Sequence, residues 1–553
     1  MKKITAYYLL IVSLGALIIN IIKKLSALII IAVLCINFSG CSGSELNKIY
    51  KYDISGNPAT LDPQQADDPI SDMIIGNVFL GLLKITEDGT VVNGAASGYS
   101  VSEDGLVYDF NLRDDIYWIS ADGFEAQCTA KDFVFGFKRL FLDQTQAARA
   151  PEYYCIKNSE KLRDNAMVSF GVVAKSDFEL EITLEYPNPR FPAMLSEPPA
   201  MPCSEEFFRS TQGKYGLSAK CTPSNGAFYV RSWHYDPRAS TDVNNLILSR
   251  NSKNADALEI CPSGLNFLIR NENRHINDFN DGNTHCIALS NDDKDHVKGK
   301  YKCEEFSNIS VGLVFNRNFS PFQNDDFRKS MTLLVDRDEI STAIPGFGRA
   351  SGVVPDQVSV NGEGYRLTVD GCTLPEYDPE QAKELFQGAR SKLDLSLFTG
   401  ARVIVSSAAA RTAVSYILQE WQREFGFYCT IETLNETDFR SRLKSGSYEL
   451  AVVELSGKYN SPAAYLDQFR SDNSDNYGRF YDEVYDELIE SAGTAPDAGE
   501  SVQLFKEAEQ YLIDNSAFLP LFFKNEYFFI DKDSYDIVYN PFSKTIDFSK
   551  AKG

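Results

Sequence analysis

Ser102-Glu103-Asp104-Gly105-Leu106-Val107-Tyr108-Asp109-Phe110-Asn111-Leu112-Arg113 reads as a turn that feeds a strand. Asp104-Gly105 suits the turn, because aspartate bonds its own backbone and glycine accepts dihedrals that other residues avoid. Beyond it, Tyr108, Phe110 and Leu112 interleave with Val107, Asp109, Asn111 and Arg113. That two-residue period is the mark of a strand with one face buried. Residues 179–185 (ELEITLE) alternate in the same way.

Downstream the period lengthens to that of helices. Asp378-Pro379-Glu380 supplies an N-cap, a proline at the first helical position and an acid in the first turn. Ala382, Leu385 and Phe386 then make the apolar face. A second helix is expected over 413–425, with Ile417, Leu418 and Trp421 inward and Gly426 as its stop. A third is expected over 502–513. Short strands alternating with longer helices indicate a mixed α/β chain. No tandem repeat or low-complexity segment is present, which argues against a solenoid. At 553 residues, 43% hydrophobic and 12% aromatic, the chain is too long for one core and rich enough to fill two or three.

The formal charge is −23. A field of that sign repels phosphate backbones and anionic headgroups, so nucleic acid is not expected as a partner. The first 41 residues run the other way. Lys23-Lys24 precede an apolar run over 25–36, and Ser39-Gly40 then lead into Cys41. A charged region, an apolar region and a small-residue cleavage site are the three parts of an export signal. A cysteine placed directly after them resembles a bacterial lipobox, with Phe38 where leucine is usual; the resemblance implies lipidation at Cys41. The run at 25–36 is too short to span a bilayer comfortably. An upstream apolar stretch over 7–22 is not explained by one signal, and either a later translation start or a first membrane segment would account for it. Cys35 would leave with the signal.

Nine cysteines remain (Cys128, Cys155, Cys203, Cys221, Cys261, Cys286, Cys303, Cys372, Cys429), an odd number that leaves at least one unpaired. Cys203 with Cys221 is the first candidate for a bridge. No Cys-x-x-Cys pair occurs, and the four histidines (His234, His275, His285, His296) give no helical ligand pair, so neither a metal site nor a cofactor is expected. Gly346, Gly348 and Gly352 miss dinucleotide spacing and read as a loop. Ser441-Arg442-Leu443-Lys444 matches the S-x-x-K of serine acyl-enzymes. Lys444-Ser445-Gly446 follows at once, however, so the two motifs would be fused instead of converging from separate elements. An enzyme is not expected.

An ordered series of segments gives a positive reading. Leu61-Asp62-Pro63 is followed by Asn77-Val78-Phe79-Leu80-Gly81-Leu82, by the stretch quoted first, by Trp118 and Asp122-Gly123, and by Thr129-Ala130-Lys131-Asp132-Phe133 ending at Arg139. Ser224-Asn225-Gly226-Ala227-Phe228, Phe315-Asn316, Pro321-Phe322, Phe327-Arg328, Val335-Asp336-Arg337, residues 421–426, Tyr485-Asp486 and Pro520-Leu521 continue it. The series resembles the bacterial extracellular solute-binding proteins of family 5, which serve oligopeptide, dipeptide and nickel ABC importers. The resemblance implies an α/β, two-lobed periplasmic-binding-protein-like fold of type II, with an extra inserted domain and a hinge between the lobes. Residues 1–40 would be the signal peptide. Domain I would comprise 41–79, 189–304 and 523–553; domain II the insertion 80–188; domain III, the second lobe, 305–522. The expected protein is a monomer held on the outer face of the membrane by lipidated Cys41. It would take an oligopeptide or related small solute and meet the permease subunits of an ABC transporter. A peptide-sensing lipoprotein in signalling, or a binder of a non-peptide (acidic or blocked) solute, is the alternative.

A peptide presents the same backbone groups whatever its side chains, so a general binder pairs with it as an added strand. Its charged termini need counter-charges once buried. Family members commonly hold the ligand amine with an acid in a loop ahead of a proline, and here that loop resembles Leu455-Ser456-Gly457-Lys458-Tyr459-Asn460-Ser461-Pro462. Lys458 occupies the acid's position, and a lysine repels an ammonium. Three explanations stay open: the amine is held by Glu454 or Asp68, the ligand is acidic or blocked, or Lys458 points to solvent. Residues 66–70 as a wall, Tyr153 or Tyr154, Phe279, Tyr459, and Arg411 as a carboxylate partner complete the candidate set.

Overall fold

The computed structural model describes residues 48–86, 90–164, 169–238, 243–254, 256–270, 274–291, 293–360, 363–368, 373–398, 400–495 and 497–553. The expected signal segment, Cys41 and Cys372 lie outside them. No helix among the described residues is long and apolar enough to cross a membrane.

The opening stretch forms the strand Val107–Leu112, with Tyr108, Phe110 and Leu112 buried as the alternation requires. It pairs antiparallel with Ala96–Val101 on one side and Glu179–Thr183 on the other, and Val172–Ala174 completes a four-stranded sheet. Thr129 and Asp132 form a capping box that starts the helix Ala130–Phe141. That helix carries Arg139 inward to Asp62, a pair in which both side chains are about 5% exposed or less. Trp118 is wholly buried and meets Phe79 edge to face. A second four-stranded sheet orders Ile49–Ile54, Gly264–Ile269, Asn245–Arg250 and Phe228–His234, the first two strands parallel. Both sheets share one core, drawn from residues between 50 and 286 and between 528 and 551.

The second lobe has its own cores, built almost wholly from residues between 309 and 522. Its helices follow local chemistry. Asp378 Oδ1 accepts from Gln381 N at 3.0 Å, and Pro379–Arg390 buries Ala382, Phe386 and Ala389. Ala408–Phe425 starts five residues earlier than the apolar spacing predicts, capped by Ser407, and ends at Gly426 in the left-handed region. Ala498–Asp514 likewise starts early, at its Asp497 cap.

Two long strands join the lobes. Tyr301–Phe315 and Leu519–Asp531 are antiparallel neighbours over almost their whole length. The outer half of Leu519–Asp531 lies beside Cys286–Ser290, and Ile309–Phe315 lies beside Leu450–Ser456, which leads on to Arg402–Val405 and Thr430–Thr433. The register breaks between Ser307 and Ile309, where Asn308 is buried and bonds Glu526 and the Pro541 carbonyl. The two strands thus run between the lobes of a two-lobed α/β fold. A bulge there weakens the ladder locally and lets one half twist against the other.

Two expectations fail. Cys203 and Cys221 are both free thiols: Cys203 is buried against Arg139, whose Nη1 lies 3.4 Å from the sulfur, and Cys221 sits in a separate short turn. Gly348 is not loop but half of a two-residue strand, Gly348–Arg349, laid against Phe522 and Phe523.

Candidate functional site

A cavity of about 2240 Å³ lies between the lobes. The helix Pro69–Val78 supplies one wall; Asp68 caps it, its Oδ1 accepting from Ile70 N and Ser71 N and its Oδ2 from the Ser71 hydroxyl. Asp72, one turn into that helix, meets a dense charge network. Arg149 reaches Asp72 at 3.3 Å, Glu152 at 3.1 Å and Glu197 at 2.7 Å, and Glu197 also holds Arg190 at 2.5 Å. Burial pushes the Asp72 carboxyl up to about 7; Arg149 pulls it down, but Glu197, Asp68 and Glu152 add to the rise. One Asp72 oxygen is buried without a hydrogen-bond partner.

Across the cavity, the strand Leu450–Ser456 delivers the loop 457–462. Asn460 pins this loop to Ser359, accepting from its backbone N at 2.7 Å and donating to its hydroxyl at 2.7 Å. Tyr459 extends from the loop to the first lobe, where the Arg190 guanidinium lies 3.4 Å above its ring centroid. A cation over an aromatic face is attractive, and more so when desolvated. Lys458 lines the cavity, and among the described residues its ammonium makes no hydrogen bond or ion pair. Past the short helix Ala463–Leu466, Asp467 and Arg470 line it too.

Of the residues singled out from sequence, Lys458, Tyr459 and Asp68 therefore meet at one cavity, as do Asp67 and Pro69 of the expected wall. The others are not among its lining residues. Glu454 points from its strand to Lys524, 3.2 Å away. Tyr153 is fully buried and donates to the Met194 carbonyl at 2.9 Å. Tyr154 packs on Phe141. Phe279 belongs to a small cluster with Ile287, Leu289 and Phe529. Arg411 donates to Thr433 Oγ1 at 2.8 Å near the surface. Ser441 and Lys444 share the helix Glu436–Ser445, also away from the cavity. Arg149, Arg190, Glu197 and Asp467 carry no local motif; only the folded chain brings them to the cleft.

Comparison with known proteins agrees with this architecture. The dipeptide-binding protein of Lactococcus lactis is 26% identical over 522 residues, covering 90% of this chain and 93% of its own. The oligopeptide-binding protein OppA of Bacillus subtilis is 24% identical over 503 residues, covering 88% and 89%. Among solved structures, the ABC transporter substrate-binding protein CtaP of Listeria monocytogenes superposes with a TM-score of 0.74 at 18% identity, over 92% of this chain and 99% of that one. The substrate-binding domain of an oligopeptide ABC transporter from Bacillus anthracis gives 0.66 at 22% identity, over 93% and 99%. Residues 90–477 match the model of the bacterial extracellular solute-binding proteins, family 5 Middle, and the chain belongs to that family.

Proposed function

We propose that this protein is a lipid-anchored extracytoplasmic receptor that captures oligopeptide-like ligands between its lobes and hands them to an ABC importer, with no covalent chemistry. The observation that carries the reading is the cavity: at about 2240 Å³, it is more than twice the size of a pocket for a drug-sized ligand, commonly ~300–1000 Å³, and both lobes line it. That volume suits an extended chain of several residues. The printed names of the relatives, dipeptide- and oligopeptide-binding, support the same class. Ser39-Gly40-Cys41 supports the anchor. The working division is domain I at 41–79, 189–304 and 523–553, domain II at 80–188 and domain III at 305–522. Lys458, free on the cavity wall, favours a second reading in which the solute carries an acidic or blocked end.

Native mass spectrometry of the soluble chain purified from its host tests both. A ladder of co-purified short peptides is expected, and their termini separate free from blocked ligands. One non-peptide species would overturn the peptide assignment.

A further inference from the structure

Resting on the peptide reading, we propose that Asp467 binds the ligand's ammonium group, in place of the carboxylate that Lys458 displaces. Asp467 follows the short helix Ala463–Leu466 and lines the same cavity as Lys458 and Tyr459. Among the described residues its carboxylate makes no hydrogen bond and no ion pair within 4 Å. A desolvated carboxylate left without a partner is costly, and a ligand ammonium removes that cost.

The nearest cations are already engaged. Arg190 bonds Glu197 and covers the Tyr459 ring, and Arg470 pairs with Asp472 at 3.3 Å. Their pull does not restore an ordinary carboxylate: burial pushes Asp467 up to about 6, with Arg470 and Arg190 acting against it and Asp472 with it. The other acids are exposed or already committed: Asp67 and Glu490 line the cavity too but are exposed to solvent. Asp68 is committed to its helix cap, and Glu197 to two guanidiniums. Glu454 faces Lys524. Asp467 is thus a half-buried cavity carboxylate that the fold leaves without a partner among the described residues.

The test uses the mature chain freed of co-purified ligand and two probes, a mixed library of free-amine hexapeptides and the same library N-acetylated. The parent is expected to bind the free-amine library more tightly by about tenfold or more, the scale of a charge-assisted hydrogen bond. Asp467→Asn removes that preference and leaves the acetylated library's affinity unchanged. Asp467→Glu, which keeps the charge, retains it and guards against a folding defect in the first variant. Any other pattern among the variants overturns the assignment while leaving peptide binding intact. A parent that binds neither library overturns the peptide reading, and this proposal with it.

Discussion

On the first lobe's wall, Glu197 holds Arg149 and Arg190 together, and Arg149 in turn spans Asp72 and Glu152. On the second lobe's wall, Lys458 and Asp467 face the same cavity with no such partners among the described residues. Paired charges hold each other in place and set the shape of a surface; unpaired ones hold interaction energy in reserve for whatever enters. The first wall acts as scaffold and the second as reader. Arg190 joins them, tied to Glu197 on its own side and stacked on Tyr459 of the other.

The harshest break of that contrast is Glu197→Ala. It strips Arg190 of its ion pair and Arg149 of its shortest one; these side chains are 17–20% exposed, so the loss, read in urea unfolding, should lie between the ~1 kcal/mol of a surface pair and the ~3 kcal/mol of a buried one. A loss within about 0.5 kcal/mol would mean that the first wall is no more structural than an ordinary surface. Lys458→Asp acts on the reading wall instead. It should raise affinity for free-amine peptides by about tenfold with little change in stability, measured by calorimetry. An unaltered peptide panel would remove Lys458 from ligand contact.

The smallest effect is one of pH. Folded Asp72 takes its proton near 7, whereas an unfolded aspartate does so near ~4. Between those values the folded state binds more protons, so this group's contribution to stability is present at the acid end and lost as pH rises toward 7. Asp72→Asn should therefore flatten the decline in unfolding free energy, from urea titrations between about pH 5 and about pH 8, by about 1 kcal/mol relative to the parent. A variant whose decline parallels the parent's would show that Asp72 titrates as an ordinary carboxylate.

Much of the fold was legible because its signals are local. Asp378-Pro379, Gly426 and the alternation of Tyr108, Phe110 and Leu112 each act within a few residues, and each appears where the spacing puts it. The early starts at Ala408 and Ala498 were missed because apolar spacing marks the buried face, whereas Ser407 and Asp497 mark the true first turn. The site divides similarly. Lys458 and Tyr459 reach the cavity with the loop that bears them, while Glu454 does not line it because strand alternation turns it toward Lys524. Arg190 and Tyr459 meet only because two lobes close on each other, and nothing near either residue announces that contact.

The strand Leu519–Asp531 lies between Cys286–Ser290 and Tyr301–Phe315, and Phe528, Tyr539, Ile546 and Phe548 complete a core that begins at Tyr50. A chain emerging from its N-terminus therefore cannot finish its first lobe until nearly all of the second has appeared. Closing so long a loop is slow, and the unfinished core keeps apolar surface open in the meantime. The strand that ties the lobes together thus also sets the order in which they can fold, with the first lobe sealed last.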